Sequence, residues 1–175
     1  MRIPTFFDAK TRGGGEVMAE SQRNEPYEEP PREEIPKISR MHVQAMETTD
    51  ADEVWVGAGM KQLVLRTVGR KSGNEHKVAL PYWVDDAGHK HVVASFAGAE
   101  QHPHWYLNLT DREANAEVLV RTRDGSHWAE PEILDGDEYQ RIWDALTADR
   151  EFYREYQTRT ERRIPLIRLN ERRPA

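Results

Sequence analysis

Residues 62–84 read QLVLRTVGRKSGNEHKVALPYWV, which is two apolar runs joined by a short polar segment. The first run, residues 62–68, is aliphatic and β-branched and ends at a glycine. The second run, residues 77–84, ends at the turn sequence Asp-Asp-Ala-Gly of residues 85–88. Runs of this kind that end at Gly and Asp are typical of paired strands. The stretch therefore predicts two neighbouring antiparallel strands, with residues 69–73 (GRKSG) at the tip between them.

Four further runs continue this pattern toward the C-terminus, and they cover residues 91–96, 117–122, 126–134 and 164–169. An Asp-Gly pair at residues 124–125 joins the second and third of these runs and is a strong hairpin signal. Pro81 and Pro131 lack an amide N–H, so we expect them at strand edges or bulges. Six short strands with hairpin turns predict a small antiparallel barrel, mainly β with some α (α+β), and not a parallel doubly wound sheet.

Two helices interrupt the strands, and a third is compatible with the sequence. Residues 137–148 carry apolar side chains at i, i+3, i+4 and i+7 spacing, namely Tyr139, Ile142, Trp143 and Leu146. Asp137 and Gln140 form an acidic version of the capping box at the start of this helix. A second helix begins at the His-Pro pair of residues 102–103, because proline suits the first helical turn. Residues 151–163 are polar with aromatic positions and form the third candidate.

The N-terminal part of the chain has a different composition. Five of the ten prolines lie within the first 36 residues, and residues 19–40 are dense in Glu and Pro with few apolar side chains. Such a segment buries too little apolar surface to offset its ordering entropy, so we expect coil there. The chain is thus divided into a flexible arm, residues 1–45, with a glycine joint at residues 13–15, and a barrel domain, residues 46–175. A docking role of the arm on a partner or a membrane surface stays open beside that of a solvated tail.

The composition excludes several classes of protein. The formal net charge is −6, whereas general binding to nucleic acids or anionic membranes calls for a cationic excess. The chain has no Cys, which excludes disulfides, zinc–thiolate sites and cysteine nucleophiles. No window approaches the ~20 consecutive apolar residues of a membrane helix, and the N-terminus lacks the apolar stretch of a secretory signal. We therefore expect a cytoplasmic protein without a transmembrane segment or a nucleic-acid partner.

The tip, residues 69–73, combines two cations, a hydroxyl and two glycines. Such a turn presents charge and backbone N–H groups to a phosphate or a carboxylate. Arg66 and Lys77 lie close enough in sequence to enlarge the cationic cluster. The tip is not a P-loop, because the G-x-x-x-x-G-K-[ST] order is absent. The alternative interpretation is an ordinary exposed turn.

Residues 94–99 (ASFAGA) form a second candidate site, where a strand end leads into a helix. Their small side chains allow a flat or anionic ligand to approach the backbone donors closely. The alternative is a tightly packed connection between strand and helix. Tyr153 and Tyr156 would share one face of a helix and offer two phenols to a substrate oxygen. Packing of both rings in the core is the alternative there.

The histidines and Ser95 match no metal or hydrolase motif. The histidines at residues 89 and 91, and those at residues 102 and 104, are each two positions apart. Neither pair has a carboxylate at metal-ligand spacing. Ser95 lies outside any G-x-S-x-G sequence, which argues against a serine hydrolase. We therefore expect neither a metal site nor a nucleophilic triad.

Three segments follow one another along the chain, namely LVLRTVGRKSG, HVVASFAGAEQHPHWYLNL and FYREYQTRTERRIPLIRL. In this order they resemble the deazaflavin-dependent nitroreductase family over about residues 63–169. The family pattern is close to T-x-G-R-K-S-G followed by A-S-K-G-G-A-P-x-H-P-x-W-Y-x-N-L. The matching residues are Thr67, Gly69, Arg70, Lys71, Ser72, Gly73, Ala94, Ser95, Gly98, Ala99, His102, Pro103, Trp105, Tyr106, Asn108 and Leu109. The resemblance implies a split β-barrel fold, related to FMN-binding proteins, and coenzyme F420 as the hydride carrier.

The resemblance also implies site residues. The tip would hold the phosphate and glutamate tail of F420, and residues 94–99 would lie along the deazaflavin ring. The implied cofactor-binding residues are Arg70, Lys71, Ser72, Gly73, Lys77, Ala94, Ser95, Phe96, Ala97, Gly98, Ala99, His102, Trp105 and Asn108. The candidates for orienting the acceptor or supplying a proton to it are Ser95, Tyr153 and Tyr156.

Four positions depart from the family pattern. His76 stands where arginine is frequent, and Ala79 stands where proline is frequent. Phe96 stands where the family usually has lysine, and Ala97 stands where it usually has glycine. The aromatic side chain of Phe96 removes a cation that would attract the anionic cofactor. It could instead pack against the ring or narrow the substrate pocket.

From this resemblance we expect an oxidoreductase that transfers a hydride from reduced F420 to an electron-poor small molecule, either an enone, a quinone or a nitro compound. No acid–base dyad is needed, because the cofactor carries the chemistry. Two alternatives stay open, a split-barrel oxidoreductase that uses FMN and a protein that holds the cofactor or a lipid-like ligand without turnover. Family members and their relatives often pair through the barrel, which makes a homodimer plausible.

Overall fold

The apolar runs of the sequence form one curled antiparallel sheet in a computed structural model, which describes residues 20–23 and 27–175. The strands are β1 (Val56–Gly57), β2 (Met60–Val68), β3 (Glu75–Pro81), β4 (Trp83–Val84), β5 (Lys90–Val93), β6 (Val118–Thr122), β7 (Gly125–Ile133) and β8 (Leu166–Pro174). The helices are α1 (Ile35–Thr48), α2 (His104–Leu109), α3 (Gly136–Asp149) and α4 (Phe152–Thr158).

Strand β2 lies at the centre of the fold because it pairs with three neighbours. It runs antiparallel to β3 from Gln62↔Pro81 to Val68↔Glu75, and its residues 64–66 pair with β6. From β6 the sheet continues through β7 and β8 to β5 and β4, while β1 pairs with the start of β2. All of these pairings are antiparallel, as the hairpin signals predict.

The alternation of side chains along β2 separates two apolar layers. Leu63 and Leu65 face the inside of the barrel, where they pack in one cluster with Val92, Val120 and Ile167. Val64 faces the other way, into a smaller cluster with Val43, Met46, Trp55 and Ala79. A third cluster joins α3 and α4 to the sheet through Ile142, Leu146, Tyr153 and Leu166. Burial of each large aliphatic side chain contributes about 1.5–3 kcal/mol to stability.

The six longer strands coincide with the six predicted runs, with shifted ends. The run at residues 77–84 divides at Tyr82 into β3 and β4, and β5 ends at Val93 because residues 96–98 turn with positive φ. Pro81 is the last residue of β3, and Pro131 lies in the part of β7 beyond its pairing with β6. The predictions for both prolines and for the Asp-Gly hairpin are confirmed.

Helix α3 confirms the predicted amphipathic helix, and its apolar face is buried. Its N-cap is Asp135, whose Oδ1 accepts a hydrogen bond from the backbone N–H of Gly136 at 2.8 Å. The capping box expected at Asp137 and Gln140 is therefore wrong. Helices α2 and α4 form where the His-Pro pair and the polar aromatic stretch predict them.

Helix α1 corrects the prediction for the N-terminal arm. It crosses the predicted boundary at residue 45, so the coil expected over the later part of the arm is wrong. Val43 and Met46 are buried, and Ser39 bonds both backbone groups of Ala79, accepting from its N–H at 2.9 Å and donating to its O at 3.4 Å. Apolar residues at helical spacing give this helix a buried face despite the polar sequence before it.

The earlier part of the arm contributes contacts as well. Gln22 donates from Nε2 to the O of Val84 at 2.6 Å and accepts from its N–H at 2.8 Å, which covers the edge of β4. The glycine joint predicted at residues 13–15, like all of residues 1–19, lies outside the described residues. Among the described helices, none combines the length and the hydropathy that a bilayer crossing requires.

Candidate active site

A cleft of about 740 Å³ opens between β3, α1 and α4. The tip between β2 and β3, the segment after β5 and the start of α2 complete its walls. The predicted site residues that line it are Arg70, Lys71, Ser72, Lys77, Ser95, Phe96, Ala97, Trp105, Asn108, Tyr153 and Tyr156. Three separate segments of the sequence therefore meet at one cavity.

The charge of the lining contrasts with that of the chain. The sequence has 31 Asp and Glu against 25 Lys and Arg, yet the part of the lining that the structure describes contains no carboxylate. The permanent cations in that lining are Arg40, Arg70, Lys71 and Lys77. The cleft is therefore suited to an anionic ligand.

The tip is a hydrogen-bonded turn. The N–H of Gly69 donates to the O of Asn74, and the N–H of Gly73 donates to the O of Gly69, both at 2.8 Å. Gly73 has a φ of +69°, in the left-handed region that favours glycine. Arg70 is half-buried and Lys71 is exposed, and among the described residues neither has a carboxylate within 4.0 Å.

Two asparagines attach the tip to the segment that contains α2. Asn108 Oδ1 accepts from the N–H of Arg70 at 3.3 Å and from its Nη1 at 3.0 Å, while Asn108 Nδ2 donates to Thr67 Oγ1 at 3.1 Å. Asn115 Oδ1 accepts from the N–H of Val68 at 2.7 Å, and its Nδ2 donates to the O of Asn108 at 2.9 Å. Sequence reasoning missed Asn115, because nothing around it forms a motif.

The cationic cluster around the tip is smaller than expected. Arg66 and Lys77 are direct cross-strand neighbours on one face of the sheet. Lys77 Nζ lies 2.6 Å from Glu47 Oε1 of α1, and Arg66 Nη1 lies 3.0 Å from Glu75 Oε2. Lys77 lines the cleft with its charge already paired, and Arg66 is not among the lining residues. The available charge of the tip therefore comes from Arg70 and Lys71.

The segment after β5 has an unusual backbone. Phe96, Ala97 and Gly98 have φ values of +45°, +51° and +73°, a region that disfavours residues with a Cβ. Ser95 before them is right-handed, with a φ of −77°. A right-handed residue followed by a left-handed one forms a concave nest of backbone N–H groups. Among the described atoms, the N–H groups of Ser95, Phe96 and Ala97 have no hydrogen-bond acceptor.

Arg162 holds this segment in place. It donates from Nη2 to the O of Ser95 at 2.7 Å, from Nη1 to the O of Ala94 at 3.2 Å and from Nε to the O of Ala99 at 2.8 Å. Its Nη1 also lies 3.2 Å from Nδ1 of His102. Burial and the Arg162 charge lower the pKa of His102, so this nitrogen accepts. Sequence reasoning missed Arg162, which belongs to an Arg-Arg pair just before β8.

Some predicted cofactor-binding residues do not line the cleft, namely Gly73, Ala94, Gly98, Ala99 and His102. Ala94 is fully buried, and His102 is bonded to Arg162. Gly98 and Ala99 line a second, more open pocket that shares Phe96 with the cleft. The absence of a side chain at Gly98 is required by the close approach of the backbone, because a Cβ there would lie 2.5 Å from the O of Tyr156.

Helix α4 brings Tyr153 and Tyr156 to the cleft. The hydroxyl of Tyr156 forms a hydrogen bond with the hydroxyl of Tyr27, and burial raises the pKa of both phenols. Burial also raises the pKa of Tyr153, while the buried guanidinium of Arg150 beside it acts in the opposite direction. All three phenols are therefore protonated at neutral pH and able to donate hydrogen bonds.

His89 and His91, which match no metal-binding motif, both lie next to the carboxylate of Asp85. His91 Nε2 and His89 Nδ1 lie 2.9 Å and 3.2 Å from Asp85 Oδ2. Within the part of the chain that the structure describes, no group of three His, Cys, Asp or Glu side chains is placed to hold a metal ion.

Comparison with known proteins agrees with this geometry. The family model described as F420H(2)-dependent quinone reductase matches residues 38–171. A protein named F420H(2)-dependent quinone reductase from Mycobacterium tuberculosis (strain ATCC 25618 / H37Rv) is 31% identical over 111 residues, which is 63% of this chain and 73% of that protein.

Two solved structures are similar to this fold. One is described as an F420-H2 dependent reductase (FDR-A), and it shares 33% identity with a TM-score of 0.53, over 62% of this chain and 93% of that chain. The other, described as a domain-swapped dimer, shares 28% identity with a TM-score of 0.55, over 75% and 96%. The predicted split-barrel α+β fold is confirmed. The chain therefore belongs to the F420H(2)-dependent quinone reductase family and is an oxidoreductase that uses coenzyme F420.

Proposed function

We propose that the cleft binds reduced F420 and presents it to an electron-poor acceptor, with quinones as the main class and enones and nitro compounds as further substrates. The observation that carries the proposal is the charge of the lining, which has four permanent cations and no described carboxylate in a chain with 31 acidic residues. Three of these cations, Arg40, Arg70 and Lys71, remain after the pairing of Lys77 with Glu47. The tail of F420 carries a phosphate and glutamates, so it is a polyanion that such a lining attracts. The name of the M. tuberculosis relative supports quinones as the main acceptor.

Arg70 and Lys71 would hold the anionic tail. A guanidinium makes charge-assisted, bidentate hydrogen bonds to phosphate or carboxylate, and Asn108 fixes the guanidinium of Arg70 at 3.0 Å. The exposed ammonium of Lys71 would contribute mainly attraction at a distance, which salt screens. The tip therefore combines one oriented contact with one exposed charge.

The nest formed by residues 95–97 would receive the edge of the deazaflavin ring. Its three N–H groups have no acceptor among the described atoms, and the ring carries carbonyl oxygens that accept hydrogen bonds. Phe96 and Trp105 add apolar surface to the lining of the cleft. When bound, the reduced cofactor supplies the hydride, and the chain orients both reactants and limits access of water.

Tyr153, Tyr156 and the Ser95 hydroxyl would face the acceptor. A phenol that is protonated at neutral pH donates a hydrogen bond to a carbonyl or nitro oxygen and can pass its proton to that oxygen as negative charge develops. In the described lining no carboxylate competes for these protons. The arrangement suits acceptors that gain charge on oxygen, which all three proposed classes do.

Removal of the two tip cations tests the cofactor site. We expect Arg70→Ala/Lys71→Ala to weaken F420 binding about 10- to 100-fold, because charged hydrogen bonds are lost, and to reduce the salt dependence of Kd. Fluorescence titration of F420 measures both effects. The matched control, Arg172→Ala/Arg173→Ala, removes the same charge from the exposed end of β8. Equal losses in the two double variants would contradict the proposal.

The acceptor class is tested by oxidation of reduced F420, followed by absorbance, with menadione, a nitroarene and an enone as separate acceptors. We expect turnover with all three and the highest kcat/KM with menadione. Absence of turnover with every acceptor, in protein that binds F420, would contradict the proposed acceptors. Family membership favours F420 over the FMN alternative, and a competition titration between the two cofactors checks this preference.

We also propose that two copies of the chain pair. The similar structure described as a domain-swapped dimer supports this. In the described sheet β3 pairs only with β2, so its outer edge is open apart from the bonds of Ser39 to Ala79. Light scattering should give twice the mass of one chain, and a single-chain mass at micromolar concentration would contradict the proposal.

A further inference from the structure

Residues 27–34 belong to the arm predicted to be flexible coil, yet they lie against the wall of the cleft assigned to the acceptor. The ring of Tyr27 stacks on Phe152 of α4, with centroids 4.0 Å apart and planes 14° apart. The hydroxyl of Tyr27 forms a hydrogen bond with that of Tyr156. All three rings line the cleft. The arm therefore contributes a phenol to the cavity.

Two arginine contacts anchor the arm just after Tyr27. Arg159 donates from Nη1 to Glu29 Oε1 at 2.6 Å and from Nη2 to Glu29 Oε2 at 3.0 Å, which is a bidentate ion pair. Arg32 donates from Nη2 to the O of Ala97 at 3.0 Å. The arm is therefore attached both to α4 and to the segment after β5, and these are the two walls proposed for the acceptor and the ring.

The protons of the Tyr27–Tyr156 pair can be counted. Each hydroxyl carries one proton, and the hydrogen bond between them uses one of the two. Burial raises the pKa of both phenols, so the second proton stays in place at neutral pH. That proton can be donated to a third oxygen, provided that the oxygen lies in the cleft.

We propose that Tyr27 is a positioning residue of the acceptor site, which fixes the Tyr156 hydroxyl so that the free phenolic proton of the pair meets the oxygen of a bound quinone. The inference rests on the proposed function, because it assigns the same cleft to the acceptor. A purely structural role, in which Tyr27 only holds the arm against α4, needs the stacked ring but not the hydroxyl. A variant that lacks only the hydroxyl oxygen of Tyr27 therefore distinguishes the two roles.

Tyr27→Phe keeps the ring and removes that atom. We expect menadione to bind about 3- to 10-fold more weakly, as for the loss of one oriented hydrogen bond. The value of kcat/KM should fall by at least that factor, because the same proton stabilises the charge that develops on the acceptor oxygen. The Kd of F420 should stay near that of the wild type, and the thermal midpoint should fall by no more than for the loss of one tyrosine hydrogen bond elsewhere in the fold. Tyr139→Phe is the matched control, because that hydroxyl donates to the O of Ile164 at 2.8 Å outside the cleft. It should lower stability without changing menadione binding.

A double-variant cycle tests whether Tyr27 acts through Tyr156. In a Tyr156→Phe background, Tyr27→Phe should have no further effect on menadione binding. Equal menadione binding by wild type and Tyr27→Phe would overturn the inference, and so would an undiminished effect in the Tyr156→Phe background. Failure of the proposed function would show in a different measurement, as absence of F420 binding by the wild type. Menadione binding is therefore measured with and without F420, by quenching of tryptophan fluorescence.

Discussion

The side-chain oxygen of Asn108 accepts two hydrogen bonds from Arg70, one from its backbone N–H at 3.3 Å and one from its Nη1 at 3.0 Å. The same side chain donates to Thr67 Oγ1 at 3.1 Å, so it connects α2 with both β2 and the tip. Asn108 is only 4% exposed. The guanidinium is therefore oriented before a ligand arrives, which lowers the entropy cost of binding.

Asn108→Ala should weaken F420 binding about 5- to 30-fold, because Arg70 loses the two hydrogen bonds that orient it. Fluorescence titration measures the change in Kd. Asn170→Ala serves as the control, since its side chain donates to Glu132 on the exposed part of the sheet and, within the described residues, to no other group. Equal Kd values for wild type and Asn108→Ala would show that Arg70 needs no support from α2.

Ala97 occupies a backbone position suited to glycine, with a φ of 51° and a ψ of 33°. This region costs a residue with a Cβ about 1–2 kcal/mol, whereas glycine loses about 0.5–1 kcal/mol more entropy on folding. Ala97→Gly should therefore raise the free energy of unfolding by up to about 1 kcal/mol. Calorimetry should show a rise of about 2–4 °C in the thermal midpoint.

The neighbouring glycine provides the opposite test. A Cβ on Gly98 would lie 2.5 Å from the O of Tyr156 and 3.0 Å from Cβ of Arg159. Gly98→Ala should therefore lower the thermal midpoint by more than Ala97→Gly raises it. Shifts of the same sign in both variants would be incompatible with the backbone described for residues 96–98.

Arg162 should matter for both stability and cofactor binding. Its guanidinium serves the carbonyls of residues 94, 95 and 99, so Arg162→Met should lower the free energy of unfolding by about 2–4 kcal/mol in urea titrations. F420 binding should be lost, because the nest of residues 95–97 loses its support. Arg163→Met is the matched control, since that exposed side chain pairs with Asp135 and should contribute less than about 1 kcal/mol. Similar losses in both variants would show that Arg162 has no special role.

How much of the structure can be predicted from the sequence depends on how far apart in the sequence the contacting residues lie. The strands, the tip and the i, i+3 spacing of Tyr153 and Tyr156 are local patterns, and each of them is found in the structure. The bond between Tyr27 and Tyr156 joins residues 129 positions apart, and the pairing of Lys77 with Glu47 joins residues 30 positions apart. No local pattern encodes such pairs, so neither was predicted.

Composition also hides polar contacts that organise a fold. The Glu- and Pro-rich arm has few apolar residues to bury, which favours coil, yet Glu29 binds Arg159 and Arg32 binds the O of Ala97. In the same way, the arginine-rich stretch before β8 has the pattern of a solvated surface. One of its members, Arg162, carries four of the contacts that shape the site.

Asp85 is a buried carboxylate in the turn between β4 and β5. Its Oδ1 accepts from the N–H groups of Ala87 at 3.0 Å and His89 at 2.8 Å, and its Oδ2 accepts from Nε2 of His91 at 2.9 Å. Burial alone would raise the pKa of this carboxyl, but the hydrogen bonds from His91 and His89 outweigh burial and lower that pKa to about 2.

Acid should therefore destabilise the protein through Asp85. In the folded protein the pKa of the Asp85 carboxyl lies below its ordinary value of 3.8. The contribution of the Asp85 carboxylate to the free energy of unfolding is therefore complete above about pH 4 and is lost as the pH falls toward about 2. We expect this effect to be about 2 kcal/mol at neutral pH. Burial lowers the pKa of His91 below its ordinary value of 6.5. Below about pH 6.5 the unfolded chain therefore binds a proton at His91 more readily than the folded chain does, so acid destabilises the protein through this residue as well.

Urea titrations at a series of pH values check this prediction. Asp85→Asn should lower the free energy of unfolding at neutral pH and should flatten its fall between about pH 4 and about pH 2, because the titrating carboxyl is gone. Asp86→Asn removes the exposed neighbouring carboxyl, whose side chain is 88% exposed, and should leave both the level and the slope near those of the wild type. Parallel pH profiles for wild type and Asp85→Asn would contradict the role assigned to Asp85, because an unperturbed carboxyl contributes no slope.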